Sequence, residues 1–162
     1  MSKLIDSIQN LVGIGDTVLD LCCGDCIITQ HIKCGSMLGL DIHKPYLEKA
    51  KGRVDMLLNA DVRFIGKLFL PRSFDVVIWL DGIEHLDSSE AIEALGGAEM
   101  VAKKMVIVLT PDKFITNDEV NPYQRHYSFF PESFWVGRGY TVQKFKNNTK
   151  DCPMVLAYKR IK

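Results

Sequence analysis

The stretch Val18-Leu19-Asp20-Leu21-Cys22-Cys23-Gly24-Asp25-Cys26 decides the fold. Residues 17–21 are largely β-branched or apolar, which predicts a short strand. An acid sits inside that run, and a turn of small residues separates it from residues 26–33, which are expected to form a helix. Such a turn lets backbone come close to a ligand, and a helix N-terminus offers unpaired N–H groups. A second acid, Asp41, closes the next predicted strand in Leu38-Gly39-Leu40-Asp41, where it can accept the hydroxyls of a ribose.

Outward from this stretch, strand-like and helix-like runs alternate. Leu4, Ile5, Ile8, Leu11 and Val12 fall at helical spacing, which predicts an amphipathic helix over 3–12. Further strands are expected at 37–40, 55–59, 74–80 and 104–109. The run 74–80 is continuously apolar apart from Asp75, as in a strand buried on both faces. Helices are expected from Pro45, a residue suited to a first turn, to about 53, and over 88–100. Residues 111–131 are polar, aromatic and irregular. A short helix at 132–136 follows, then strands at 140–145 and 154–159 joined through Asn147-Asn148-Thr149-Lys150 as an antiparallel hairpin. This order predicts an α/β, doubly wound, mostly parallel sheet with helices on both faces. There is no repeat and no Pro-, Gly- or Ser-rich linker, so residues 1–162 are read as one domain.

Lysine plus arginine and aspartate plus glutamate balance at 20 each, for a formal net charge of +0. Such a chain has no global electrostatic pull toward nucleic acid or anionic lipid. No apolar run reaches the roughly 20 residues that span a bilayer. The opening residues carry Asp6 in their apolar stretch and no small-residue cleavage site, unlike a secretory signal. Five cysteines, three of them crowded at 22, 23 and 26, do not make a disulfide framework, so a cytoplasmic location is expected. No second Cys-x-x-Cys completes a structural zinc set, so free thiols and no metal are expected.

Taken together, these segments resemble the class I S-adenosylmethionine (SAM)-dependent methyltransferases, over nearly the whole chain. The 18–26 stretch is similar to the family's first motif, apolar-apolar-Asp-x-Gly-x-Gly-x-Gly, with Cys22 and Cys26 at the first and third glycines. Asn59-Ala60-Asp61-Val62 is similar to the segment after the third strand. The run from Phe74 to Leu86, with its Glu84-His85 pair, resembles the fourth-strand motif, and Thr110-Pro111-Asp112 resembles the turn after the fifth. The resemblance implies a Rossmann-like seven-stranded sheet ending in an antiparallel hairpin, a transferase activity (methylation) and SAM as cofactor. It implies that Cys22, Cys23, Gly24 and Cys26 lie against the methionine part, with Asp20 orienting the turn or meeting the amino group. Asp41 would bind ribose, Ile42 would pack on adenine, and Asp61 and Val62 would contact its edge and face. Leu80 and Asp81 would line the floor near the methyl group. His85 and His126 are the candidate proton acceptors.

The 111–131 loop lies at the carboxyl edge of the sheet, where open α/β folds bind ligands. Its Tyr123, Arg125, His126 and Tyr127 are expected to form a lid and acceptor pocket. The chain is short for the family, which favours a small-molecule acceptor over nucleic acid.

Simpler roles compete at each position. Asp41, Asp61 and Asp81 could cap the segments that follow them, and His85 could be a packing histidine. Cysteine at the third glycine adds a side chain where the methionine part should lie, and it is strained there if φ is positive. A methyltransferase fold without activity, serving as a partner subunit, is therefore the alternative. A nicotinamide oxidoreductase is disfavoured because Ile27, not glycine, stands three residues after Gly24. Asn121-Pro122-Tyr123 resembles the Asn-Pro-Pro-Tyr motif of base-modifying methyltransferases but does not follow the fourth strand, so it is read as a turn.

Overall fold

A computed structural model describes residues 2–116, 121–145 and 153–162. Among these residues five α-helices are found, α1 (Ser2–Gln9), α2 (Lys44–Ala50), α3 (Ile65–Leu68), α4 (Ser88–Val101) and α5 (Glu132–Gly137). Seven strands, β1 (Thr17–Leu21), β2 (Ser36–Asp41), β3 (Met56–Asn59), β4 (Phe74–Leu80), β5 (Ala102–Pro111), β6 (Thr141–Phe145) and β7 (Met154–Arg160), form one sheet in the order β3-β2-β1-β4-β5-β7-β6. The first five strands are parallel, and β7 runs antiparallel between β5 and β6. The expected connecting turn, Asn147 to Lys150, lies outside the described residues, as does Cys152.

The side-chain period of a strand divides the core into two layers. On β4, Val77 and Trp79 face the layer built with Ala91, Leu95 and Ala98 of α4, while Val76, Ile78 and Leu80 face the layer of Ile8 from α1. Both faces being covered explains why the sequence of β4 reads as an unbroken apolar run rather than an alternating one. No helix among the described residues is long and apolar enough to cross a membrane.

One predicted element is corrected. Residues 26–33 hold a single 3₁₀ turn, Thr29–His31, instead of a helix. Ile27, Ile28, Thr29 and Ile32 are all β-branched and lose rotamer freedom in a helix, and the left-handed Cys26 at the entry breaks helical geometry.

The sheet reverses its winding between β1 and β4, which pair directly. The loops leaving these two strands must therefore nearly touch. Gly82 makes that approach feasible: a Cβ there would sit 2.9 Å from Cys22 Cβ and 2.9 Å from Trp79 Nε1. Trp79 is fully buried and has nowhere to retreat. Gly82→Ala is therefore expected to cost about 1–3 kcal/mol by overpacking, read as a lowered urea midpoint with an unchanged slope; an unchanged midpoint would show that the two loops have slack.

Candidate functional site

Three backbone positions after β1 turn left-handed: Cys22 at φ 52°, Gly24 at 55° and Cys26 at 59°. These are the three glycine positions of the expected motif. The turn survives two cysteines because other bonds hold it. Cys23 N–H donates to the Leu40 carbonyl at 3.0 Å, and Gly24 N–H donates to Asp41 Oδ2 at 2.9 Å. Arg53 Nη1 donates to the Asp25 carbonyl at 2.7 Å and pairs with its carboxylate at 2.9 Å.

Asp41 is the hub. Its Oδ1 also accepts from His43 N–H at 2.7 Å, and its carbonyl accepts from Ala60 N–H at 3.1 Å and from Asn59 Nδ2 at 2.9 Å. Burial raises the Asp41 pKa, and the amides of His43 and Gly24 oppose that rise. The side chain does not cap α2, whose N-cap is His43. Each carboxylate oxygen keeps lone-pair capacity beyond its one amide.

Cys26 behaves differently from expectation. Its side chain turns inward and is buried, and it is not among the cleft-lining residues. Gly39 of β2 makes the room: a Cβ there would meet Cys23 Sγ at 2.9 Å and Cys26 Sγ at 3.3 Å. The Cys23 and Cys26 thiols and the Asp20 carboxylate form one cluster, their polar atoms all within 4.8 Å. The hydrogen bond between the two thiols raises the Cys23 pKa and lowers that of Cys26. The pKa of Asp20, 1% exposed, is raised well above the carboxylate range by burial and by the nearby Cys26, and its Oδ2 meets no hydrogen-bond donor among the described residues. None of the three lines the cleft.

In front of the turn opens a cleft of about 420 Å³ along the carboxyl ends of β1 to β4. Of the expected cofactor residues, Cys22, Asp41, Ile42, Asp61, Val62 and Asp81 line it, and Asp20, Cys23, Gly24, Cys26 and Leu80 do not. Asp61 is both wall and cap: Oδ1 accepts from Arg63 N–H at 3.0 Å, and Arg63 Nε donates to Oδ2 at 2.9 Å while Nη1 reaches Glu90 Oε1 at 2.9 Å. Burial raises the Asp61 pKa, but the bonds from Arg63 hold it below the ordinary value. Asp81 is not a cap, because Gly82 precedes the next 3₁₀ turn. It stands exposed at the cleft with φ 56°.

The loop after β5 supplies the outer wall. Tyr123, Gln124 and Tyr127 line the cleft, and Arg125 does not. His126 packs against His85, ring centroids 5.1 Å apart. Burial and His126 lower the His85 pKa to about 4, so its ring is uncharged at neutral pH. The segment is pinned to the β4 turn, with Tyr127 N–H donating to the Glu84 carbonyl at 2.8 Å and Ser128 N–H at 3.2 Å.

Glu84, to which the sequence assigned no role, is 1% exposed. Its Oε2 accepts from Thr110 Oγ1 at 3.1 Å, and its Oε1 meets no hydrogen-bond donor among the described residues. Burial and the nearby Asp81 raise its pKa well above the ordinary value. An acid paired with a histidine four residues after the most apolar strand was the available signal.

Residues 18–105 match the profile of a family described as methyltransferase domain. No curated protein matches the chain. Among solved structures the chain is similar to the YcgJ protein from Bacillus subtilis (TM-score 0.74, 12% identity, covering 100% of this chain and 99% of that one). It is also similar to magnesium protoporphyrin IX methyltransferase from Synechocystis PCC 6803, solved with bound SAM (TM-score 0.70, 16% identity, 99% and 79% covered). A third is the N-methyltransferase NodS from Bradyrhizobium japonicum WM9 (TM-score 0.71, 11% identity, 98% and 93% covered). At such identities these structures share a fold with this chain.

The left-handed turn makes a testable stability statement. A Cβ in that region costs roughly 1–2 kcal/mol, against 0.5–1 kcal/mol of extra unfolded-state freedom for glycine. Cys22→Gly should therefore be more stable than Cys22→Ala, by up to about 1.5 kcal/mol, reversing the usual order of the two residues. Equilibrium urea unfolding of the pair decides it, and alanine proving the more stable would mean that the left-handed backbone carries no strain.

Proposed function

Because the chain belongs to the methyltransferase domain family, we propose that it moves a methyl group from SAM to a small-molecule acceptor. The observation that carries this reading is the buried Asp41 carboxylate facing the cleft while fixing the turn that borders it. Bound SAM would supply a methyl already activated on a sulfonium, transferred in line to an acceptor lone pair as the C–S bond breaks and a neutral thioether leaves.

The residues present fit that group. Asp41 has free acceptor capacity for the ribose hydroxyls, and Ile42 and Val62 offer apolar surface for the adenine. Asp61 is already paired with Arg63, so its carboxylate reaches the adenine edge with the capacity that pair leaves. Cys22 occupies the wall of the methionine part without a bulky side chain. Cys26, turned toward Gly39, leaves that space open. Tyr123 and Tyr127 close the outer side, which suits an acceptor small enough to be held between them and Asp81. The chain's own contribution is then to grip and to aim, for which proximity offers up to about 7–11 kcal/mol in ideal cases.

A second reading is favoured by one observation. Two non-glycine residues in left-handed backbone at the turn are consistent with a fold that has lost catalysis and serves as a binding module. Calorimetry separates the two. Micromolar binding of SAM and of S-adenosylhomocysteine is expected, and no binding at millimolar ligand would favour the module. Asp41→Asn should weaken SAM by about 10- to 100-fold, the worth of roughly 1.5–3 kcal/mol for a hydrogen bond to a charged group. Unchanged affinity in that variant would remove Asp41 from the cofactor site.

A further inference from the structure

Beside the cleft, a set of donors is assembled that methyl transfer by grip and aim does not use. A carboxylate oxygen of Glu84, a ring nitrogen of His85 and a ring nitrogen of His126 all lie within 4.8 Å of one another. They come from two chain segments, and the fold takes trouble to join them. The Glu84 carbonyl accepts two backbone N–H groups, from Tyr127 and Ser128, which holds His126 against His85. The Thr110 hydroxyl orients Glu84 through Oε2.

Glu84 Oε1 is the second, independent observation. It belongs to a side chain 1% exposed, no N–H or hydroxyl group among the described residues reaches it, and the side chain that Glu84 faces is another acid, Asp81. Leaving a buried carboxylate oxygen unpaired is costly, and native structures seldom do so without a reason. Asp81 interacts electrostatically with both Glu84 and His85 and stands exposed on the open side. Two imidazoles with one or two carboxylates are the donor set of a divalent transition-metal ion. With bonds of about 2.0–2.2 Å, adjacent ligand atoms stand roughly 3 Å apart, so the side chains need to close by only about an ångström or two.

We propose that Glu84, His85 and His126, with Asp81 at the rim, form a binding site for a divalent ion of the Mn²⁺, Fe²⁺, Co²⁺ or Zn²⁺ type. The site opens on the cleft through Asp81 and His85. Three protein ligands and an open side are the arrangement of metal sites that bind substrate rather than brace a fold. An ion here suits an acceptor that presents a hydroxyl oxygen, whose acidity it would raise. That last point rests on the methyl-transfer reading, whereas ion binding itself does not.

The experiment uses the full chain, stripped of metal and free of SAM. Co²⁺ is titrated and followed by its visible absorption, and Mn²⁺ and Zn²⁺ are titrated by calorimetry. One ion per chain is expected, bound at micromolar concentration or tighter. His126→Ala and His85→Ala should each weaken it at least tenfold, as should Glu84→Gln. The exposed His31→Ala serves as the unaffected control. Because Glu84→Gln is in the core, circular dichroism checks its fold, and His126→Ala, on the loop, stands as the test if Glu84→Gln does not fold. No binding at millimolar ion overturns the proposal. So does binding that survives His85→Ala and His126→Ala, or that is lost only in Cys23→Ser or Cys26→Ser, which would assign the ion to the thiol cluster. SAM binding measured separately keeps the two readings apart: SAM bound without any metal affinity overturns the ion site alone, and metal bound without SAM overturns methyl transfer alone.

Discussion

Two backbone N–H groups, those of Gly24 and His43, converge on the carboxylate of Asp41, and the candidate site is organised around that convergence. The acid ends β2, the glycine lies in the turn after β1, and the histidine begins the approach to α2, so one side chain fixes the relative positions of three elements. Charged hydrogen bonds of this kind are the stronger ones. They are needed because the turn they hold is unfavourable on its own, with two cysteines in a backbone region that admits glycine freely and other residues at a cost. The same convergence leaves an acid at the edge of the cleft with acceptor capacity to spare.

The cysteines illustrate how a local departure is absorbed at a distance. At the third glycine position a side chain would be expected to intrude on a ligand. Gly39, on the neighbouring strand, has no Cβ, and the thiols of Cys23 and Cys26 fill the space it vacates. The residue that makes the cysteines tolerable is thus neither adjacent in sequence nor part of the motif. None of Asp20, Cys23 and Cys26 lines the cleft, whereas in the group of Glu84, His85 and His126 the His85 ring does. Among the described residues the two groups of potential ligands thus differ in position, and the second has a member on the cleft.

The positions of the helices and strands could be read from the sequence wherever apolar periodicity was long enough to decide between period 2 and period 3.6. β1 and β4 were expected at their observed bounds, and α1, α2 and α4 within a few residues of theirs. The failure at 26–33 came where β-branched residues and a left-handed cysteine outweighed a plausible apolar pattern. Among site residues, the acids at strand ends were legible because a charge that terminates an apolar run must face solvent or a ligand. Asp81 and Asp61 were legible as cleft residues through the family resemblance, and the cap at Asp61 turned out to be the same carboxylate.

What the sequence determined alone is the alternation of strands and helices and the order in which acids arrive at one edge of a sheet. These are local properties, fixed by side-chain shape and backbone sterics within a few residues. What only the tertiary structure decided is which of those groups share space. Arg125 stands outside the cleft while Tyr127, two residues on, lines it. His126 meets His85 because backbone bonds pin one loop to another, and Glu84 becomes a buried acid with an unsatisfied oxygen only once β4, β5 and the loop enclose it. Proximity between residues far apart in the chain depends on the packing of the whole sheet, and no local pattern encodes it.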